Sequence, residues 1–260
     1  MLLLSLFYIK ETTTMKHLLI FLLILLPTTV TLAGEPPTAP MLRLETGFHT
    51  ARLWRIATDA QGRWLATASD DKTLRLWDIR DRKQPELIRT LRLPSGPGNE
   101  GKLFAVAMDP AGDWLATGGW TGYEWDKSLS IYILDRATGQ LRPRIKGLEQ
   151  VIRHLCVSPD GHWLAATLGD TGLRVYDARN SFTPVFTDRD YGTDSYGCAF
   201  SPDSRSLVTT CYDGQIRRYS LQGSSFRKDR QIKAQGGKQP SAVAFHPSSD
   251  QIYLPNGLTA

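Results

Sequence analysis

The chain has 260 residues, 41% of them apolar and 22% charged, with a formal net charge of +5. Those values fit one globular domain plus a targeting segment and exclude a disordered or fibrous chain. The basic residues are scattered, and the densest group, Arg227-Lys228-Asp229-Arg230, is interrupted by an acid. No patch of the kind that binds nucleic acid is present.

At the N-terminus, Met15-Lys16-His17 is a short basic start, Leu18 to Leu26 an unbroken apolar run, and Thr31-Leu32-Ala33 a small-residue cleavage pattern before Gly34. Residues 1–33 therefore read as a secretory signal, with a linker over 34–40. Leu2 to Ile9 is a separate apolar stretch, which suggests that translation starts at Met15. The apolar run is shorter than the roughly 20 residues of a bilayer span. The alternative is an uncleaved N-terminal segment, the one membrane attachment the sequence offers. The expected location is periplasmic or secreted.

From residue 41 onward the sequence repeats. Ala57-Thr58-Asp59-Ala60-Gln61-Gly62 aligns with Ala107 to Gly112, Cys156 to Gly161, Ala199 to Ser204 and Ala244 to Ser249. A period of about 45 residues with a turn rich in Pro, Asp and Gly marks a stacked repeat architecture. Each turn leads into a second strand, beginning at Trp64, Trp114, Trp163 and Ser206. A third follows over Thr73–Asp78, Leu129–Asp135, Leu173–Asp177 and Gln215–Ser220, with the alternation of a half-buried strand, as in Leu74-Arg75-Leu76. A fourth, more variable strand comes next, such as Glu86–Leu91. Four antiparallel strands per unit describe a propeller blade. The predicted fold is an all-β propeller with blades at about 47–94, 95–146, 147–188 and 189–234, and a partial fifth over 235–260. Met41–Glu45 is a candidate outer strand for closing the ring, and the missing third strand of blade five leaves the ring open as the alternative.

At these residues the chain resembles the WD-repeat family. Blade one carries Gly47-Phe48-His49 and Asp70-Asp71-Lys72-Thr73-Leu74-Arg75-Leu76-Trp77-Asp78. The resemblance implies a hydrogen-bonded network of His49, Thr67, Asp71 and Trp77, in which buried polar groups satisfy one another. The other blades depart from the pattern. Blade two has Thr117 but Leu134 in the Trp place. Blade three keeps Asp170, with Tyr176 for Trp and Leu148 for His. Blade four keeps Thr209 and Asp213, with Tyr219 for Trp and Tyr191 for His.

No catalytic constellation, cofactor motif or metal site stands out. The acidic turns at Asp70-Asp71, Asp170 and Asp213 fall on strand connections, where a structural role outweighs calcium. His154 lies two residues before Cys156 and lacks a third group for nucleophilic chemistry. Cys156 occupies the small-residue column of the repeat, and a bridge between Cys198 and Cys211 is conceivable on adjacent strands.

The stronger functional signal is the second-to-third-strand connection of blade two. From Ala116 to Asp135 it is much longer than its counterpart from Ala66 to Asp78, and it holds Trp120, Tyr123, Trp125 and Asp126. The loop before blade four adds Asp190, Tyr191, Asp194 and Tyr196 on the same rim. Aromatic loop residues of this kind anchor binding sites; the competing reading is that they cap the neighbouring blade. The resemblance implies a non-catalytic protein- or peptide-binding scaffold, here in an exported bacterial protein. Two alternatives stand beside it: a propeller hydrolase or lactonase working through channel carboxylates, and a non-functional remnant of a longer propeller.

Overall fold

A computed structural model describes residues 47–234, 239–249 and 251–255. The segment expected to be a secretory signal, the expected linker and the candidate strand at Met41–Glu45 lie outside those residues. Within them, no helix is long and apolar enough to cross a membrane.

The hairpins follow from their turn chemistry. Asp59 ends the first strand of blade one, and its Oδ1 accepts the backbone N–H groups of Arg63 and Trp64 at 2.8 Å each. Ser158 and Ser201 do the same work with hydroxyls, accepting from Trp163 at 2.9 Å and Ser206 at 2.8 Å. These side-chain acceptors replace a ladder bond where the chain reverses. Four meanders result: β1 (Leu53–Thr58) to β4 (Glu86–Arg92), β5 (Leu103–Met108) to β8 (Ile145–Leu148), β9 (Ile152–Val157) to β12 (Thr183–Asp188), and β13 (Ser195–Phe200) to β16 (Ser225–Lys233). Their middle strands are β2 (Trp64–Ser69) with β3 (Thr73–Asp78), β6 (Trp114–Gly119) with β7 (Leu129–Asp135), β10 (Trp163–Leu168) with β11 (Gly172–Asp177), and β14 (Ser206–Cys211) with β15 (Gln215–Gln222). A fifth, two-stranded sheet pairs β17 (Ala244–Phe245) with β18 (Ile252–Tyr253). This is a propeller array of four complete four-stranded blades and a partial fifth, and the described blades form an arc that does not close.

The blades stack because alternate residues of each inner strand address opposite neighbours. On β5, Val106 and Met108 join the apolar layer shared with blade one, whereas Ala105 and Ala107 join the layer shared with blade three. A third layer, holding Trp163, Phe200 and Tyr219, joins blades three and four, and a smaller one around Val208, Ile216 and Val243 reaches the partial blade. At the open end of the arc, Leu53 and Ile56 of β1 are exposed.

Candidate functional site

The register places Trp77, Leu134, Tyr176 and Tyr219 in one column, opposite Leu65, Leu115, Leu164 and Leu207. In blade one the structure brings His49, Thr67, Asp71 and Trp77 together. The indole Nε1 of Trp77 donates to Thr67 Oγ1 at 3.1 Å, and Thr67 Oγ1 lies 2.7 Å from His49 Nε2. His49 Nδ1 lies 2.8 Å from Asp71 Oδ2. A carboxylate only accepts, so Nδ1 carries a proton, and in the neutral ring Nε2 accepts the threonine hydroxyl. Thr73 completes the cluster, its hydroxyl donating to Asp71 Oδ1 at 2.6 Å.

Burial pushes the Asp71 carboxyl up, but the hydrogen bonds from Thr73, His49 and Thr50 outweigh it and hold the group below the usual aspartate range. A carboxyl depressed in the folded state stabilises the fold above its unfolded pKa, and that contribution is lost as pH falls. Between about pH 5 and pH 3 the wild type is therefore expected to lose thermal stability more steeply than Asp71→Asn. Parallel slopes in a pH series of melting curves would refute this.

Blade four builds its own network. Tyr191 Oη lies 2.6 Å from Thr209 Oγ1 and 2.9 Å from Tyr219 Oη, and Tyr219 donates to Asp188 at 2.9 Å. The Arg217 guanidinium sits 4.1 Å from the centroid of the Tyr191 ring. Burial pushes both phenols well up, so they remain neutral donors. Tyr191, expected on a binding rim, is placed inside the blade: it is buried, and its hydroxyl faces Thr209 and Tyr219.

The long connection of blade two is anchored from below. Glu100, 5% exposed, accepts the N–H groups of Gly122, Tyr123 and Glu124 at 2.6, 3.1 and 3.3 Å. It thereby caps a single helical turn, Tyr123–Asp126. Burial nevertheless pushes its carboxyl up. Trp125 is 6% exposed and Trp120 packs on the layer between blades two and three. Trp125 is thus buried within its own blade, where a large apolar ring repays burial, and Trp120 is half-buried against that layer. Asp126 is taken up by Arg144 at 3.0 Å. Tyr123 stays outside, 49% exposed.

On the loop before blade four, Asp190 is exposed and pairs with Lys228 at 2.8 Å. Asp194 accepts from Arg153 of blade three at 2.6 Å. Tyr196 stacks on Tyr212 at 4.8 Å, with Arg55 of blade one 5.4 Å from its ring centroid.

Every complete blade has a register break near the start of its inner strand: between Leu53 and Arg55, between Leu103 and Ala105, opposite Thr167 and Leu168, and between Ser195 and Cys198. The breaks hold Trp54, Phe104, Arg153 and, beside the buried Gly197, Tyr196; these four large side chains are half-buried. A bulge re-aims a side chain that a regular strand would point to one face of the sheet. Here four successive blades turn a large planar group to the same end of their inner strands. Trp54 and Phe104 meet at 5.1 Å, and the Trp54 indole donates to Asp70 at 2.8 Å.

A model described as WD domain, G-beta repeat matches residues 43–78, 86–132, 140–177 and 184–220. The chain belongs to the WD40 family. Among similar proteins are periodic tryptophan protein 2 of Arabidopsis thaliana, 29% identical over 65% of this chain and 17% of its own length, and a protein LST8 homolog of Drosophila melanogaster, 24% identical over 69% and 54%. Coronin-7 of Rattus norvegicus is 32% identical over 46% of this chain and 12% of its own length. The chain thus spans at most about half the length of these relatives.

In this WD40 array the inner strands carry no carboxylate among the described residues. No group of three or more His, Cys, Asp or Glu suited to a metal occurs among them either. Trp54, Phe104 and Arg153 are not among the binding residues expected from sequence. A signal was available: with Tyr196, they form the column three positions before Ala57, Ala107, Cys156 and Ala199.

Proposed function

We propose that the chain is a non-catalytic scaffold that binds a protein or peptide segment across the rim formed by Trp54, Phe104, Arg153 and Tyr196. The observation that carries the reading is the repeated bulge, which presents three aromatic rings and a guanidinium at one register position of four neighbouring blades. Trp, Tyr and Arg supply large contact area with few torsions to freeze, and they dominate binding hot spots. Tyr123 and Asp190, both exposed, are the remaining candidates for contact with the same partner. WD-repeat membership supports an interaction role. The relatives named above are eukaryotic and lend no support to a bacterial origin. Export rests on the apolar run from Leu18 to Leu26, and N-terminal sequencing of the mature protein tests it.

A random-peptide display library panned against the whole chain supplies ligands. Trp54→Ala combined with Tyr196→Ala is expected to weaken the selected peptides by tenfold or more, corresponding to about 1.4 kcal/mol. Ile88→Ala on an outer strand is expected to leave affinity unchanged, with both folds checked by circular dichroism. Equal binding by the double variant would refute the rim.

A further inference from the structure

We propose that Cys156 and Cys198 are a redox pair that closes to a disulfide under hydrogen peroxide and ties blade three to blade four at their inner strands. On β9, Leu155 faces the layer shared with blade two, while the next residue, Cys156, packs into the layer between blades three and four. On β13, Cys198 lies in that same layer, whereas Ala199 turns toward the partial blade. Both sulfurs therefore enter one layer from its two sides. His154 Nδ1 accepts the backbone N–H of Cys198 at 3.1 Å, a direct bond that holds the two inner strands together beside the thiols. Cys198 is buried, and Cys156 is half-buried, so the pair is reached from the Cys156 side.

The third cysteine stands apart. Cys211 is opposite Ser195 in the ladder, where Thr209 is opposite Cys198, and its thiol donates to the Thr193 carbonyl at 3.3 Å. The Cys198–Cys211 bridge considered from sequence therefore has the less favourable register.

Burial pushes the Cys198 thiol up, but the interaction with the Cys156 thiol and the nearby His154 and Arg55 outweigh it and hold it below the usual thiol range. Cys156 is held up by burial and by its neighbour. The pair gives up its first proton as a unit. The resulting thiolate attacks the peroxide O–O bond; an S–O bond forms, and hydroxide leaves and is protonated to water. The second sulfur then attacks the sulfenic sulfur, the S–S bond forms, the S–O bond breaks, and hydroxide leaves with the second thiol's proton as water. Two thiols lose two electrons in total, and hydrogen peroxide becomes two waters. Arg153 and Tyr196 lie close in sequence to these cysteines, so closure would fix two rim residues relative to each other.

The test treats the full chain with hydrogen peroxide under native conditions, alkylates it in denaturant and maps the peptides. The expected result is a peptide pair joined through Cys156 and Cys198, with alkylatable thiols falling from the three free cysteines to Cys211 alone. The oxidised protein is expected to melt roughly 5 °C higher or more, reversibly with dithiothreitol. Cys211→Ser should keep the link, and Cys156→Ser and Cys198→Ser should each abolish it. Should a variant fail to fold, the wild-type map decides alone. A folded, peroxide-treated protein that keeps all its thiols, over-oxidises without linking, links through Cys211 or links between chains would overturn the proposal.

Discussion

Replacing Thr67 by valine is expected to cost about 2–3 kcal/mol of folding stability, although the two side chains have nearly the same shape. Valine keeps the β-branch that suits a strand, so neither packing nor propensity is lost. The hydroxyl is what disappears. It receives the indole N–H of Trp77 and faces Nε2 of His49, and the site is 4% exposed. Two partners would be left inside the blade without water to replace the lost group. Thr117 is the internal comparison. It stands in the same column of blade two, fully buried, but its hydroxyl makes a single bond, to the Ala105 carbonyl at 2.8 Å. Thr117→Val is expected to cost about 1 kcal/mol. Urea titrations of both variants check the difference. Equal costs would mean that the blade-one cluster adds nothing beyond one ordinary hydrogen bond.

The comparison also shows what the sequence made legible. The turns, the strand order and the column of Trp77, Leu134, Tyr176 and Tyr219 could be read directly. Each depends on local chemistry repeated about every 45 residues, and repetition turns weak local signals into a register. The side chains of the long blade-two connection could not be apportioned that way. Trp120, Tyr123 and Trp125 look equivalent as aromatic loop residues. What separates them is Glu100, a residue of the preceding loop whose carboxylate winds the segment into a helical turn. That winding leaves Trp125 inside and Tyr123 outside. Tyr191 was ambiguous for a different reason: the same residue fits both the histidine column of its blade and an aromatic rim. Its two hydroxyl partners, Thr209 and Tyr219, decide for the column.

The bulges were the larger omission. Strict alternation assigns Trp54 and Phe104 to one face of a regular strand. A register break, which re-aims the side chain, leaves no mark on apolar periodicity. Only blade two carries a mark on the facing strand. Gly118 and Gly119 stand opposite the break in blade two, where the other blades have Ala68-Ser69, Thr167-Leu168 and Thr210-Cys211.

Gly119→Ala is accordingly expected to be the most damaging small substitution in blade two, lowering stability by about 3 kcal/mol. A β-carbon at Gly119 would lie 2.2 Å from the Lys102 carbonyl oxygen and 2.8 Å from the Phe104 nitrogen. Both are backbone atoms, one of the residue that leads into β5 and one of β5 itself, so relief requires moving the start of β5 at the point where it bulges. Trp120 N–H also bonds the Lys102 carbonyl, at 3.0 Å, and that bond opposes the movement. Gly118→Ala provides the contrast. Its β-carbon would meet side-chain atoms of Ile152 at 3.2–3.3 Å, and an isoleucine can shift by a few tenths of an ångström. That variant is expected to lose about 1 kcal/mol. Chemical denaturation gives both values, and near-ultraviolet circular dichroism reports the Trp54–Phe104 contact at the bulge. A Gly119→Ala protein as stable as Gly118→Ala would show that the two strands separate easily at this position, and the bulge would then be too soft to hold Phe104 on the rim.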